Sequence, residues 1–227
     1  MFHAFLTGLV LTLGSSAGLP SNHFHQGPPR PSFVGGQLNQ ETSPDTTPAR
    51  WVLSETGSEA RYRVREQLAG FDFPNDAVGV TEDITGAIVL GPDGAVISEG
   101  SEFRIQLASL TTDNERRDGY VQRRTLEVER YPEAVLVPRR FVNLPHPIPE
   151  SGQVTFKLEA DLTLHGHTQS TTWEVTAEFG PDAIAGLATT AFSFDTFGIA
   201  VPQVARVLSV DDHIRLELEF RVVPEDG

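Results

Sequence analysis

From Val154 to Leu164 the chain alternates apolar and polar side chains without an error: Val154, Phe156, Leu158, Ala160, Leu162 and Leu164 are separated by Thr155, Lys157, Glu159, Asp161 and Thr163. A helix would spread such a set around its circumference, whereas in a strand it forms one apolar face and one wet face. The pattern returns at Trp173, Val175, Ala177 and Phe179, at Ile214, Leu216, Leu218, Phe220 and Val222, and at Phe103, Ile105 and Leu107. Parallel strands are covered on both faces and read as continuous apolar runs, so these one-sided strands predict antiparallel pairing with solvent on the outside.

Weaker strand patterns cover residues 60–68, 80–90, 134–142 and 185–194. Turn chemistry separates them at Gly91-Pro92-Asp93-Gly94, the proline-rich 143–152 stretch and Gly180-Pro181-Asp182. The total is about eight strands. An open sheet of this size would leave unpaired edges and a bare apolar face, and closing it into a barrel removes both while enclosing room for a ligand. A two-sheet sandwich satisfies the same alternation and is the competing architecture.

The formal net charge is −14, which repels a phosphate backbone, and no basic stripe interleaved with aromatics offsets it, so nucleic acid is excluded as a partner. Lys157 is the single lysine, and cysteine is absent, which excludes structural disulfides, thiol catalysis and lipid attachment at a lipobox. Residues 4–13 form an apolar stretch too short to span a bilayer, followed by Ser15-Ser16-Ala17. Residues 1–17 therefore predict a signal peptide cleaved after Ala17 and a periplasmic or secreted protein, although Met1-Phe2-His3 lacks the usual basic residue and leaves an uncleaved anchor open. Residues 18–50, rich in Pro, Ser, Thr, Gly, Asn and Gln, predict a disordered linker. Residues 51–223 are then one domain.

Within that domain, Ser109-Leu110-x-x-Asp113-Asn114-x-Arg116-Arg117-Asp118, then Leu126 and Tyr131-Pro132, resembles the hallmark segment of YceI-like proteins. Asp161-Leu162-Thr163-Leu164-His165-Gly166-His167-Thr168 is similar to their Gly-x-Leu-Thr hairpin, and Phe194-Asp195-Thr196-Phe197-Gly198-Ile199 to their Asp-Phe-Gly-Ile ending. The sequence departs from the family in the Gly57-Ser58-Glu59-Ala60-Arg61-Tyr62 start of its first strand, at Asp195, and in the Gln67–Asn75 segment. The resemblance implies an all-β, eight-stranded, antiparallel lipocalin-like barrel with one short helix after the Ser109–Asp118 segment. It also implies an apolar interior that holds a polyisoprenoid, a quinone or a related lipid, with no cofactor and no catalysis. Peripheral membrane contact is compatible with such a carrier.

Strand parity places Phe103, Ile105, Leu107, Phe156, Leu158, Leu162, Trp173, Val175, Phe192, Phe194, Leu216 and Phe220 inward, and these are the expected ligand contacts. The same residues are also compatible with a solid core. Arg117 and Asp118 are candidates for a head-group site, an Arg fork being suited to a pyrophosphate or a quinone oxygen; the alternative is a loop-fixing ion pair with Asp113 or Asn114 capping the helix. His165 and His167 on one strand face would suit zinc or copper, with His146 or His213 as a third ligand, and His23 with His25 make a weaker pair; no metal site is expected from either. There is no Gly-x-Ser-x-Gly elbow. The remaining alternatives are an enzyme acting on a lipid-like substrate at the barrel mouth through His165, His167 or Asp118, and a stress-related secreted protein acting through its surface.

Overall fold

The computed structural model describes residues 47–70, 72–204 and 207–225. The expected signal peptide, nearly all of the expected linker and the His23/His25 pair lie outside the described residues.

The alternating segments are strands, all paired antiparallel. In order they are β1 (Ala49–Leu53), β2 (Glu59–Leu68), β3 (Asn75–Thr81), β4 (Ile84–Leu90), β5 (Val96–Gln106), β6 (Glu133–Val142), β7 (Gly152–Leu164), β8 (His167–Phe179), β9 (Ile184–Ser193) and β10 (Val207–Pro224). Each of β4 to β10 pairs with the next, and β1 closes the ring by pairing with β4 through Ala49↔Leu90 and with β10 through Trp51↔Pro224. The result is a closed eight-stranded barrel with one short helix. The segments outnumber the barrel strands because two strands are broken. β2 continues the path of β1 along the same edge of β10 (Glu219↔Glu59), and β3, paired to β2, continues that of β4.

The sequence pattern for residues 80–90 gave one strand. The chain instead breaks at Glu82-Asp83 and the paired region reaches back to Asn75. β1 lies where no strand was expected, because five residues are too few to display a period. It begins at Ala49, inside the span assigned to the linker, and Arg50 Nε pairs with Glu225 at 3.0 Å.

β7 and β8 stay in register along their whole length and are joined by a two-residue turn, His165-Gly166, with both φ values positive (51° and 77°). That is the turn geometry whose twist matches a hairpin. After β5 the chain leaves the sheet through a 3-10 turn (Leu107–Ser109). It bonds back to β3 through Val80 N–H to Thr111 O (2.9 Å) and Thr111 N–H to Val80 O (3.0 Å). It then forms α1 (Glu115–Tyr120), continued by a π-helical turn (Val121–Thr125). Asn114 caps α1, its Oδ1 accepting from the backbone N–H groups of Arg116 (3.0 Å) and Arg117 (3.3 Å). This helical strap lies where β3, beyond the end of β5, has no strand on its outer edge.

The interior holds one contiguous cluster of apolar side chains, among them Phe103, Leu136, Phe156, Trp173, Val175 and Phe197. The outer face carries cross-strand charge pairs such as Arg140 with Glu159 and Arg104 with Glu133, which screened solvent makes worth little individually.

Candidate ligand cavity

The interior is not filled evenly. A cavity of about 550 Å³ occupies the end where β2 and β7 finish and β8 and β10 begin, within the roughly 300–1,000 Å³ usual for small-molecule sites. Its wall is mostly apolar: Ala60, Val64 and Leu68 on β2, Ile105 on β5, Ala134 and Leu136 on β6, Leu162 and Leu164 on β7, Trp173 on β8, and Ile214, Leu216 and Leu218 on β10. Tyr120, Val121 and Leu126 of the helical strap cover one side, and Ile199, Pro202 and Val204 cover another. Of the lining residues, Ala69, Asn114, Arg116 and Val204 are exposed. They mark the mouth, between the β2–β3 turn, the start of α1 and the segment before β10.

Of the expected contacts, Ile105, Leu107, Leu162, Trp173, Phe194, Leu216 and Arg117 line this cavity. Leu107 and Phe194 do so from 3-10 turns rather than from strands. Phe103, Phe156, Leu158, Val175, Phe192 and Phe220 point inward as parity predicts but do not line it. Most of them fill the opposite end, where Phe156 meets Phe141 edge-on at 5.3 Å and Phe179 at 6.4 Å, with Leu144 and Ile148 of the 143–151 loop packed on the core beside them. Phe192 packs on Phe197 at 4.7 Å. Parity fixes which face a side chain takes, but not its depth along the barrel axis.

Asp118 also lies outside the cavity wall. Its Oδ1 accepts from the backbone N–H (2.8 Å) and the hydroxyl (2.6 Å) of Thr112, which shapes the turn before α1. Arg117 reaches the cavity, but its fork is taken: Nη2 donates to Glu66 Oε1 at 2.8 Å and Nη1 to Asp113 Oδ1 at 2.5 Å. A guanidinium already facing two carboxylates has little attraction left for an anion. Glu66 is the charged residue of the site whose role the sequence reading missed, as it missed the apolar wall residues Val64, Leu136 and Ile214. It stands fourth in the inward row Ala60, Tyr62, Val64, Glu66, Leu68, and a lone carboxylate on an apolar stripe was the available signal.

Tyr62 presents its ring to the wall and lies against Gly79 of β3, where an added Cβ would collide with it. Its buried hydroxyl has no hydrogen-bond partner among the described residues, and neither has the Thr125 hydroxyl. Burial pushes the Tyr62 phenol up to about 12, against a smaller opposite pull from Arg117. The phenol is therefore neutral throughout the physiological range.

His165 and His167 do not form a two-ligand strand face. His165 sits in the turn, its Nδ1 3.3 Å from Phe197 O and its ring 4.8 Å from Tyr131, while His167 Nδ1 lies 3.1 Å from His165 O. Neither lines the cavity, and no group of three or more His, Asp or Glu among the described residues could hold a metal ion.

A family model described as YceI-like domain matches residues 51–222. Solved structures that share the fold include the following three. A polyisoprenoid binding domain from Saccharophagus degradans is 11% identical with a TM-score of 0.61, covering 77% of this chain and 98% of that one. Burkholderia cenocepacia BcnA is 14% identical with a TM-score of 0.56, covering 74% and 98%. A Campylobacter jejuni YceI protein is 16% identical with a TM-score of 0.50, covering 66% and 85%. No curated protein matches the sequence.

Proposed function

This chain belongs to the YceI-like domain family, and from that premise we propose that it is an exported, non-catalytic binding protein that holds the hydrocarbon tail of a polyisoprenoid, quinone or related lipid in the barrel. The cavity of about 550 Å³ with its apolar wall carries this reading. Burying each methylene of a tail contributes on the order of 0.8 kcal/mol, so affinity grows with chain length and needs no reactive group. The relative from Saccharophagus degradans, described as polyisoprenoid binding, supports the ligand class. Export rests on the reading of residues 1–17 as a signal peptide.

Native mass spectrometry of the purified chain, followed by organic extraction, tests the proposal. The expected result is a stoichiometric apolar adduct in the polyprenyl or quinone mass range. Leu216→Trp, which fills the cavity from β10, should leave a folded chain without the adduct. A bare mass that persists after incubation with both quinones and polyprenyl phosphates would sink the lipid-carrier reading.

A further inference from the structure

We propose that the mouth of the cavity is a docking surface for an anionic lipid bilayer, through which the ligand passes between membrane and barrel. This inference rests on the lipid-carrier reading above and adds to it where the loading takes place.

Of the five exposed large apolar residues among the described residues, four collect at this one place, and the fifth, Leu187, lies on the wall of β9. Phe73 is 81% exposed on the β2–β3 turn, whose first residue, Ala69, lines the cavity. Leu208 is 69% exposed at the start of β10, and Val201 and Val204 are exposed in the segment before it. Leu208 follows Val207, which pairs with Leu68, so the two lips adjoin. A row of this kind, continuous with an apolar cavity, is what an interfacial anchor looks like, because each side chain leaves water on entering the headgroup region.

The third lip supplies charge. Along the barrel wall, most basic side chains are matched with carboxylates, as Arg140 is with Glu159 and Arg104 with Glu102 and Glu133, Arg221 of β10 being an exception. On the helical strap, Arg116, Arg123 and Arg124 are exposed and none has a carboxylate within salt-bridge distance among the described residues. Tyr120, Val121 and Leu126 of the same strap turn toward the cavity, which leaves Arg123 and Arg124 for the outside, while Arg116 stands at the mouth itself. Unmatched guanidinium groups on the rim of a chain with net charge −14 are complementary to anionic headgroups. Asp72, Asp113 and Glu115 stand on the same rim and temper the attraction, so the apolar lips and the arginines are both needed. A protein partner would need no such pairing of apolar lips with an insoluble cargo.

The chain has no cysteine, so a single one can be placed and labelled at will. In the full-length chain, Phe73→Cys and Leu208→Cys carry an environment-sensitive fluorophore at the mouth, and Asp93→Cys carries it at the opposite end. Vesicles of phosphatidylcholine alone and of phosphatidylcholine mixed equally with phosphatidylglycerol are then added. The expected result is a blue shift at residues 73 and 208 with the mixed vesicles and none at residue 93. Replacing Arg116, Arg123 and Arg124 by Gln should weaken the vesicle titration about fivefold per arginine. No shift at the mouth, or equal shifts at both ends, overturns docking; so does a titration indifferent to the three arginines. Loading the same chain with a quinone from detergent and weighing the complex separates the two readings. An adduct without a mouth shift overturns docking alone, and a mouth shift without an adduct overturns the carrier reading and, with it, the loading role of the docked state.

Discussion

The two ends of this barrel are made from the same strands under the same alternation, yet one end is solid and the other hollow. At the solid end the inward positions carry Phe141, Phe156, Phe179 and Phe220, and the 143–151 loop lays Leu144 and Ile148 against the core there. At the hollow end Tyr62, Trp173 and Phe194 share the wall with the smaller Ala60, Val64, Ala77, Ala134, Leu136 and Leu162, and a helix rather than a strand covers the side. A barrel of fixed circumference has a fixed interior, so large rings fill it and small aliphatic side chains leave space. The contrast teaches that the cavity comes from small side chains on β2, β3 and β6 and from a helix in place of a strand, which together leave more room than the rings at that end fill.

Truncation should distinguish the halves most sharply. Phe156→Ala removes a ring that touches two others and should cost about 3–5 kcal/mol, read from urea unfolding of the ligand-free chain. Leu162→Ala borders space that is already empty and should cost about half as much, since only its contacts along the wall are lost. Equal costs at the two sites would mean that the hollow end collapses in solution.

A second test uses Tyr62, the buried phenol of the hollow half. Its folded value of about 12 lies above the roughly 10 of an unfolded tyrosine. Below about pH 10 the phenol is neutral in both the folded and the unfolded chain, and between about pH 10 and 12 its harder ionisation in the folded chain brings a loss of stability. It amounts to on the order of 2–3 kcal/mol. Tyr62→Phe should match the wild type near neutrality, because the hydroxyl it removes has no partner, and should lose less stability between pH 10 and 12. Parallel stability curves over that range would show that the phenol is hydrated.

The smallest effect expected is at the mouth. Arg117→Met leaves Glu66 buried without its 2.8 Å partner and should cost about 2 kcal/mol, below the value for a fully buried pair because Arg117 is partly exposed. Adding Glu66→Gln should restore most of the loss. If the double variant is no more stable than the single one, the pair does not tie the helical strap to the barrel.

Much of this was legible in the residues. The expected inward residues that lie on strands face inward, as parity predicts, Asp113 or Asn114 was read as the helix cap, and the Asp161–Thr168 segment was matched to a hairpin by the family resemblance. The break at Glu82-Asp83 and the short β1 were not legible, because a handful of residues has no measurable period. Of the expected head-group pair, Asp118 is held by Thr112 and Arg117 is answered by Glu66, fifty-one positions earlier in the chain. No spacing rule brings those two together.

The sequence alone determined that this chain makes one-sided antiparallel strands, about eight of them, because the side-chain period in a strand is two and the apolar face must find cover. Which inward residues pack and which surround a cavity was decided only by the tertiary structure. That outcome depends on how volumes from non-neighbouring strands add at one height of the barrel, and on which loop or helix closes each end.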